Sequence, residues 1–136
     1  MDPVGAARHV RALTAVAAIM LSGCASTPAM VPPRSAARIA PALVAAARRL
    51  AAGAPASEYA RGPVRVDERG RLQVYVSVDA VTADHVLALR DAGLSGARPS
   101  AALAIVQGWV PPDRLPEIAA LPFVTRIAPP RYARVR

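Results

Sequence analysis

Few residues in this chain of 136 could carry out chemistry. The two histidines and one cysteine are too few ligands for a zinc site, and a single cysteine excludes an intramolecular disulfide. His85 lies in the first turn of a predicted helix, where we interpret it as a surface residue rather than a catalytic base. No histidine-based triad can be built with the serines, and no glycine-rich phosphate loop is present. We therefore expect no catalytic residues, no cofactor and no metal, and a protein that is not an enzyme.

The acidic residues also do not indicate a catalytic or metal-binding site. Asp67 and Glu68 lie at a predicted turn, where side chains are usually solvated. Asp79, Asp84 and Asp91 lie on or beside one predicted helix and could hold a cation weakly, but solvated charge is the better interpretation.

Composition limits the partners of the chain. Hydrophobic residues make up 54%, but 32 of them are alanine, so the larger apolar residues suffice for one small domain. All 17 basic residues are arginine, which is typical of a high-GC coding bias, so the net charge of +8 is a weak functional signal. We expect no binding to nucleic acid, because no aromatic RNA-binding motif accompanies the arginines and the N-terminus predicts export.

The cysteine lies at the end of an export signal. Arg8, His9 and Arg11 form a basic region, and the uncharged run 12–21 follows it. Ten residues in a helix span only ~15 Å, short of the ~30 Å hydrocarbon core, which is typical of a signal peptide and not of a membrane span. The run ends in Leu21-Ser22-Gly23-Cys24.

This tetrapeptide resembles the lipobox of bacterial lipoproteins at all four positions. The resemblance implies that residues 1–23 are removed, that the Cys24 thiol carries a diacylglyceryl group, and that the new amine is acylated. Two or more acyl chains, such as palmitate, anchor a protein stably in a membrane. Ala25 implies sorting to the outer membrane in a Gram-negative host. We therefore expect a lipid-anchored protein of the bacterial cell envelope.

Beyond the signal peptide the sequence divides into four parts. Residues 24–35 are rich in proline, serine and threonine and form a tether. Residues 36–53 form an alanine-rich helix, whose start Pro41 can delay to about residue 41. Residues 54–62 are a linker, and 63–136 form a small α+β domain that we expect to fold without residues 25–62.

Alternating and helical patterns define that domain. Leu72–Val78 alternates most strictly and predicts a strand, preceded by a hairpin strand over 64–66. A helix capped by Thr82 follows, then a short strand or loop over 94–100 and a strand over 102–110. A helix opening at Pro111 and a strand over 123–128 complete the order. We predict a ferredoxin-like β-α-β-β-α-β antiparallel sheet with two helices on one face, preceded by the alanine-rich helix.

Residues 74–132 resemble the propeptide domain of secreted subtilisin-like proteases and its stand-alone inhibitor relatives. The helix after Pro111 carries the family's characteristic pattern at Leu115, Ile118, Leu121, Pro122 and Val124. The resemblance implies a module that chaperones or inhibits a protease through the outer face of its sheet and its C-terminal tail. No catalytic region of a protease follows in this sequence, so we expect either that such a module acts in trans or that its function has changed.

Strand parity selects candidate partner-binding residues. If Val74, Val76 and Val78 face the helices, Tyr75 faces away; if Ala104, Val106, Gly108 and Val110 face inward, the residues between them face outward. Exposed aromatic and apolar residues mark interaction surfaces. The alanine-rich helix could equally cover this face. The candidate site comprises Tyr75, Ile105, Gln107, Trp109 and Tyr132.

Two functions remain open at this point. The first is an envelope lipoprotein that binds a subtilisin-like protease in trans. The alternative is a structural or assembly lipoprotein that binds another envelope protein. The arginines at positions 131, 134 and 136 could contact anionic lipid headgroups, although a solvated chain end is the simpler interpretation.

Overall fold

The computed structural model describes residues 33–131. This part of the chain contains helices α1 to α4 and strands β1 to β4, with short 3-10 turns at 56–59, 101–103 and 112–114. In chain order the elements are α1 (Pro33–Ala36), α2 (Pro41–Ala51), β1 (Leu72–Val78), α3 (Ala83–Asp91), β2 (Ser95–Ser100), β3 (Ile105–Val110), α4 (Leu115–Ala120) and β4 (Val124–Ala128).

The strands form one antiparallel sheet in the order β2-β3-β1-β4. Because β1 and β2 are both antiparallel to β3, they are parallel to each other with β3 between them. By the same reasoning β3 and β4 are parallel, with β1 between them. Each of α3 and α4 therefore connects two parallel strands separated by one antiparallel strand. The predicted α+β class and antiparallel sheet are confirmed.

Two additional segments extend the sheet at the β4 side. The predicted hairpin strand is reduced to a single bridge between Val66 and Leu72, beside the half of β1 that β4 does not reach. Ile39 bridges Ile127 in parallel, and the Ala40 and Ile127 amides donate hydrogen bonds of 2.8 Å to the Ile127 and Arg38 carbonyls. The outer edge of β4 is thus partly paired by the chain that precedes α2.

The alanine-rich helix is shorter than the predicted range 36–53. α2 begins at Pro41, and Ala40 before it has the extended conformation that a residue before proline favours (φ −58°, ψ 136°). Since proline lacks an amide hydrogen, it suits the first position of a helix and interrupts a continuous one. The residues before it form α1, a turn and the bridge to β4.

α3 and β3 show how local sequence sets element boundaries. The Thr82 side chain accepts a hydrogen bond of 3.1 Å from the His85 amide and caps α3, as predicted. The predicted strand 102–110 begins only at Ile105. Residues 101–103 form a 3-10 turn, and Ala104 closes it with a left-handed φ of 50°. The prediction that Ala104 is an inward-facing strand residue is therefore wrong.

One core lies between the helices and a single face of the sheet. The inward residues of β1 and β3, such as Val76 and Val106, are fully buried with Leu89 of α3 and Ile118 of α4. Leu43 of α2 is fully buried in the same cluster. Arg38 strengthens this connection by donating hydrogen bonds of 3.2 Å to the carbonyls of Ala119 and Leu121. The core therefore extends before residue 63, where the sequence predicted the domain to begin.

Candidate functional site

Four of the predicted partner-binding residues lie together on the sheet face opposite the core. Tyr75 is paired with Gln107, Trp109 with Gln73, and Ile105 with Ser77 across the β1–β3 ladder. We call these six residues the outer face. All six are half-buried, whereas their neighbours along each strand are buried. Cys24 and Tyr132 lie outside the described residues.

The helices pack on the opposite side of the sheet. Leu43 of α2, Leu89 of α3 and Ile118 of α4 belong to the core cluster, which contains no residue of the outer face. The sequence left open whether α2 covers the outer face, and the structure shows that it packs on the core side instead. Among residues 33–131, no helix buries its apolar side chains against Tyr75, Ile105 or Trp109.

Arginines border the outer face at both sides. Arg98 of β2 is paired with Gln107, and Arg126 of β4 is paired with Ser77; both side chains are exposed. No acidic residue occupies a strand position of this face in the described part of the chain. The surface therefore combines a tyrosine, a tryptophan and an isoleucine with polar amides, and its edges are positively charged.

Trp109 is held by an irregularity in β2. The pairing of β2 with β3 shifts between Ser95 and Arg98, and Gly96 within this bulge has a φ of +61°. A Cβ atom at Gly96 would lie 3.6 Å from Cδ1 of Trp109, so the indole lies directly against the bulge. Glycine suits this position because it adopts positive φ without steric cost.

A chain of polar contacts fixes the backbone beneath Trp109. The Ser95 hydroxyl donates a hydrogen bond of 3.1 Å to the Trp109 carbonyl and accepts one of 2.7 Å from the Arg71 guanidinium. Arg71 in turn donates to Asp67 through Nε at 2.7 Å and through its amide at 2.8 Å. No sequence pattern predicted these contacts, because they join the turn before β1 to the start of β2.

Asp67 is therefore not a solvated turn residue, and that prediction is corrected. Its side chain is 19% exposed. Desolvation raises the pKa of this carboxyl, but the hydrogen bonds from the Arg71 amide and guanidinium, the Arg71 charge and the Arg69 amide outweigh it, so the pKa is lowered.

His85 stabilises the junction of α3 and β4. Its ring stacks on Phe123 with 3.9 Å between centroids and 5° between planes, and Nδ1 lies 2.7 Å from the Ala80 carbonyl. Asp79 is 3.6 Å from the same nitrogen. The half-buried ring is thus more enclosed than the surface residue that the sequence predicted, and its contacts are those of a packing residue.

The comparisons add no relative. Neither protein-family models, nor curated proteins, nor solved structures match this chain. Within residues 33–131, no group of three potential metal ligands is assembled. In the same part of the chain, no helix combines the length and apolarity that crossing a bilayer requires.

Proposed function

We propose that this protein is a non-enzymatic lipoprotein of the bacterial cell envelope that binds another protein through its outer face. The observation that carries the proposal is the placement of Tyr75, Ile105 and Trp109 on a face that no described helix covers. Half-buried aromatic side chains with polar neighbours are typical of the centre of a protein interface. The lipobox-like sequence at Cys24 supports the envelope location.

We also propose that the fold is ferredoxin-like and related to protease propeptides. The element order β-α-β-β-α-β, with each helix connecting two parallel strands on either side of a third, supports a split βαβ arrangement. The subtilisin-like protease is the partner that the sequence resemblance indicates, and the module would chaperone or inhibit it in trans.

A structural or assembly lipoprotein is the alternative. Leu115, Ile118 and Val124 of the propeptide-like pattern are buried in the core. Any sheet with helices on one face needs apolar residues at such positions, so these matches also suit a domain with no protease partner.

Inhibition of a subtilisin-like protease by the purified full chain tests the proposal. We expect hydrolysis of a chromogenic peptide to fall as the protein is added, and Trp109→Ala to weaken this inhibition roughly thirtyfold, because a buried tryptophan anchor contributes ~2 kcal/mol or more to binding. Leu87→Ala is the control, since Leu87 is 54% exposed on α3, away from the outer face. Equal inhibition by both variants would refute the assigned surface, and no inhibition by the wild-type protein would favour the structural alternative.

Trp109 fluorescence provides a direct test of whether the outer face is accessible to solvent. Trp109 is the single tryptophan, so emission reports on this side chain alone. We expect red-shifted emission that a soluble quencher reduces in the free protein, and a blue shift when the partner binds. Blue-shifted, protected emission in the free full chain would show that another part of the protein already occupies the outer face.

A further inference from the structure

A second surface with strong chemical character lies at the β4 edge of the sheet. Four arginines, Arg61, Arg65, Arg126 and Arg131, line a concave groove of about 700 Å³. The remaining lining residues are alanines, prolines and one glycine. We call this surface the arginine groove.

No acidic residue lines the arginine groove. Within residues 33–131, the ion pairs of Arg49 with Glu58, Arg71 with Asp67, and Arg114 with Glu117 all lie outside the groove, so none of them neutralises Arg61, Arg126 or Arg131. The four groove arginines come from the segment before β1, from β4 and from the residues after it. Folding therefore brings positive charges together from separate parts of the chain, and their mutual repulsion favours an anionic ligand.

The start of α2 adds to the positive potential. Pro41 and Ala42, the first two residues of this 11-residue helix, line the groove. The helix begins with no capping side chain and no acidic residue in its first turn. Pro41 has no amide hydrogen, and the Leu43 and Val44 amides donate to the Ala40 carbonyl, so the contribution of this end of α2 is the partial positive charge of the helix dipole. That charge favours the same anion as the arginines.

The tether limits the distance between the groove and a membrane. Pro33, the first described residue, comes nine residues after Cys24, and a chain of that length spans at most about 30 Å. A domain held this close to a bilayer meets phospholipid headgroups at high local concentration. The proline and alanine surface between the guanidinium groups also suits a ligand with apolar parts beside its phosphate.

We propose that the arginine groove binds the phosphate of anionic phospholipid headgroups and so orients the domain against the membrane. This inference rests on the lipid attachment at Cys24 in the proposed function. Guanidinium groups bind phosphate through paired hydrogen bonds as well as through charge. The outer face, whose Arg126 edge adjoins the groove, would then be held in a fixed direction relative to the bilayer.

The test measures sedimentation of the full chain with vesicles of phosphatidylcholine, with or without phosphatidylglycerol. Every sample carries Cys24→Ser, so acyl chains contribute nothing to binding. The groove variant is Arg61→Gln with Arg131→Gln, two exposed residues outside the helices and strands. The matched control is Arg48→Gln with Arg90→Gln, which removes the same charge from exposed positions on α2 and α3. Melting curves establish that all variants fold.

We expect the wild-type groove to increase partitioning onto phosphatidylglycerol vesicles, in a manner that salt weakens. Each arginine near an anionic surface contributes about fivefold, so the groove variant should lose roughly thirtyfold and the control less than about twofold. Equal losses in both variants would show that only net charge matters and would overturn the proposal.

Two further binding measurements test whether the groove binds a different anionic ligand. Saturable binding of inorganic phosphate or glycerol 3-phosphate, without preference for the vesicles, would overturn the lipid assignment in favour of a soluble phosphate. Binding of an acidic peptide without binding to the vesicles would overturn it in favour of a protein partner. Because acylation is absent from every sample, a failure here is distinguishable from a failure of lipid attachment at Cys24.

Discussion

Gly108 is the residue at which the packing of the sheet leaves no room for a side chain. It lies on the inward side of β3, where a Cβ atom would be 2.6 Å from Leu94 Cδ1 and 2.9 Å from the Ser95 carbonyl oxygen. We expect Gly108→Ala to lower the free energy of unfolding by about 1–3 kcal/mol, because neither the backbone oxygen nor the buried Leu94 can move freely. Denaturant unfolding measures the difference.

Gly62→Ala is the control for this substitution. A Cβ atom at Gly62 would meet nothing closer than 3.8 Å. Equal stability of the two variants would show that β2 and β3 separate easily, contrary to the close packing of Leu94 on Gly108.

Asp67 should make stability depend on acidic pH. Its pKa is lowered in the folded protein by the contacts with Arg71 and Arg69 that outweigh desolvation. Such a carboxylate contributes stability at every pH above about 4, the ordinary aspartate value, and the contribution is lost as the pH falls through the lower folded value. We expect Asp67→Asn to cost about 1–2 kcal/mol at neutral pH and to reduce the loss of stability on acidification.

The exposed Asp91→Asn variant is the control for the pH dependence, since it removes the same charge without breaking the contacts to Arg71. Thermal melts of the wild type and both variants, taken from neutral to acidic pH, separate the outcomes. Parallel curves for wild type and Asp67→Asn would exclude a role for this carboxylate.

Only part of the site could be predicted at the residue scale. The alternation along Leu72–Val78 places Tyr75 outward, because successive strand side chains point to opposite faces. The same rule placed Ile105, Gln107 and Trp109, although it failed at Ala104, where a left-handed residue precedes the strand. The support beneath Trp109 from Ser95, Arg71 and Asp67 depends on the pairing of β2 with β3, which no local pattern encodes.

At the scale of elements, α2 contributes buried residues to the core, although its alanine-rich composition predicts little buried area. Alanine-rich segments bury little area, but Leu43 is fully buried and Ala46 is 3% exposed in the cluster shared with the sheet. Small residues allow the helix to approach the sheet closely, so that the Leu43 side chain reaches the core. The sequence predicted the helix but not this role, because tertiary packing is absent from its periodicity.

We therefore expect that a fragment of residues 63–136 does not fold on its own, contrary to the prediction from the sequence. Removing α2 leaves a cavity where Leu43 lay, a loss that costs 2–5 kcal/mol when only the leucine is truncated. It also removes the hydrogen bonds from Arg38 and Ala40 to α4 and β4. We expect no cooperative thermal transition for 63–136, and a cooperative one for 33–136. A cooperative melt of the shorter fragment would show that α2 packs on a domain already stable without it.

β2 shows why one strand could not be distinguished from a loop. Its sequence, SGARPS, has neither apolar alternation nor many β-branched residues. It becomes a strand because β3 offers an unpaired edge, and the proline is tolerated because β2 is itself at the edge of the sheet. By contrast, β1 has one face buried in the core and one half-buried face, and the strict alternation that results made it predictable.

At the scale of the whole molecule, the buried apolar residues and the cluster of arginines lie on different sides of the sheet. The helices close one face of the sheet, the outer face carries Tyr75 and Trp109, and the arginine groove lies at the β4 edge. Lipid attachment would make this asymmetry functional, since a domain anchored through its N-terminal side and held by anionic headgroups would present the outer face in a constant direction.

Lipid attachment is the prediction at this scale with the strongest sequence basis. Arg8 and Arg11 precede a short uncharged run that ends in the lipobox-like LSGC, and Cys24 is the single cysteine. We expect cells expressing the full chain to incorporate radiolabelled fatty acid into the protein, and Cys24→Ser to abolish the label and move the protein out of the membrane fraction. Ser22→Ala is the matched control, because the lipobox accepts either residue there. Labelling that survives Cys24→Ser would show that the anchor, and with it the membrane orientation of the domain, has been assigned to the wrong residue.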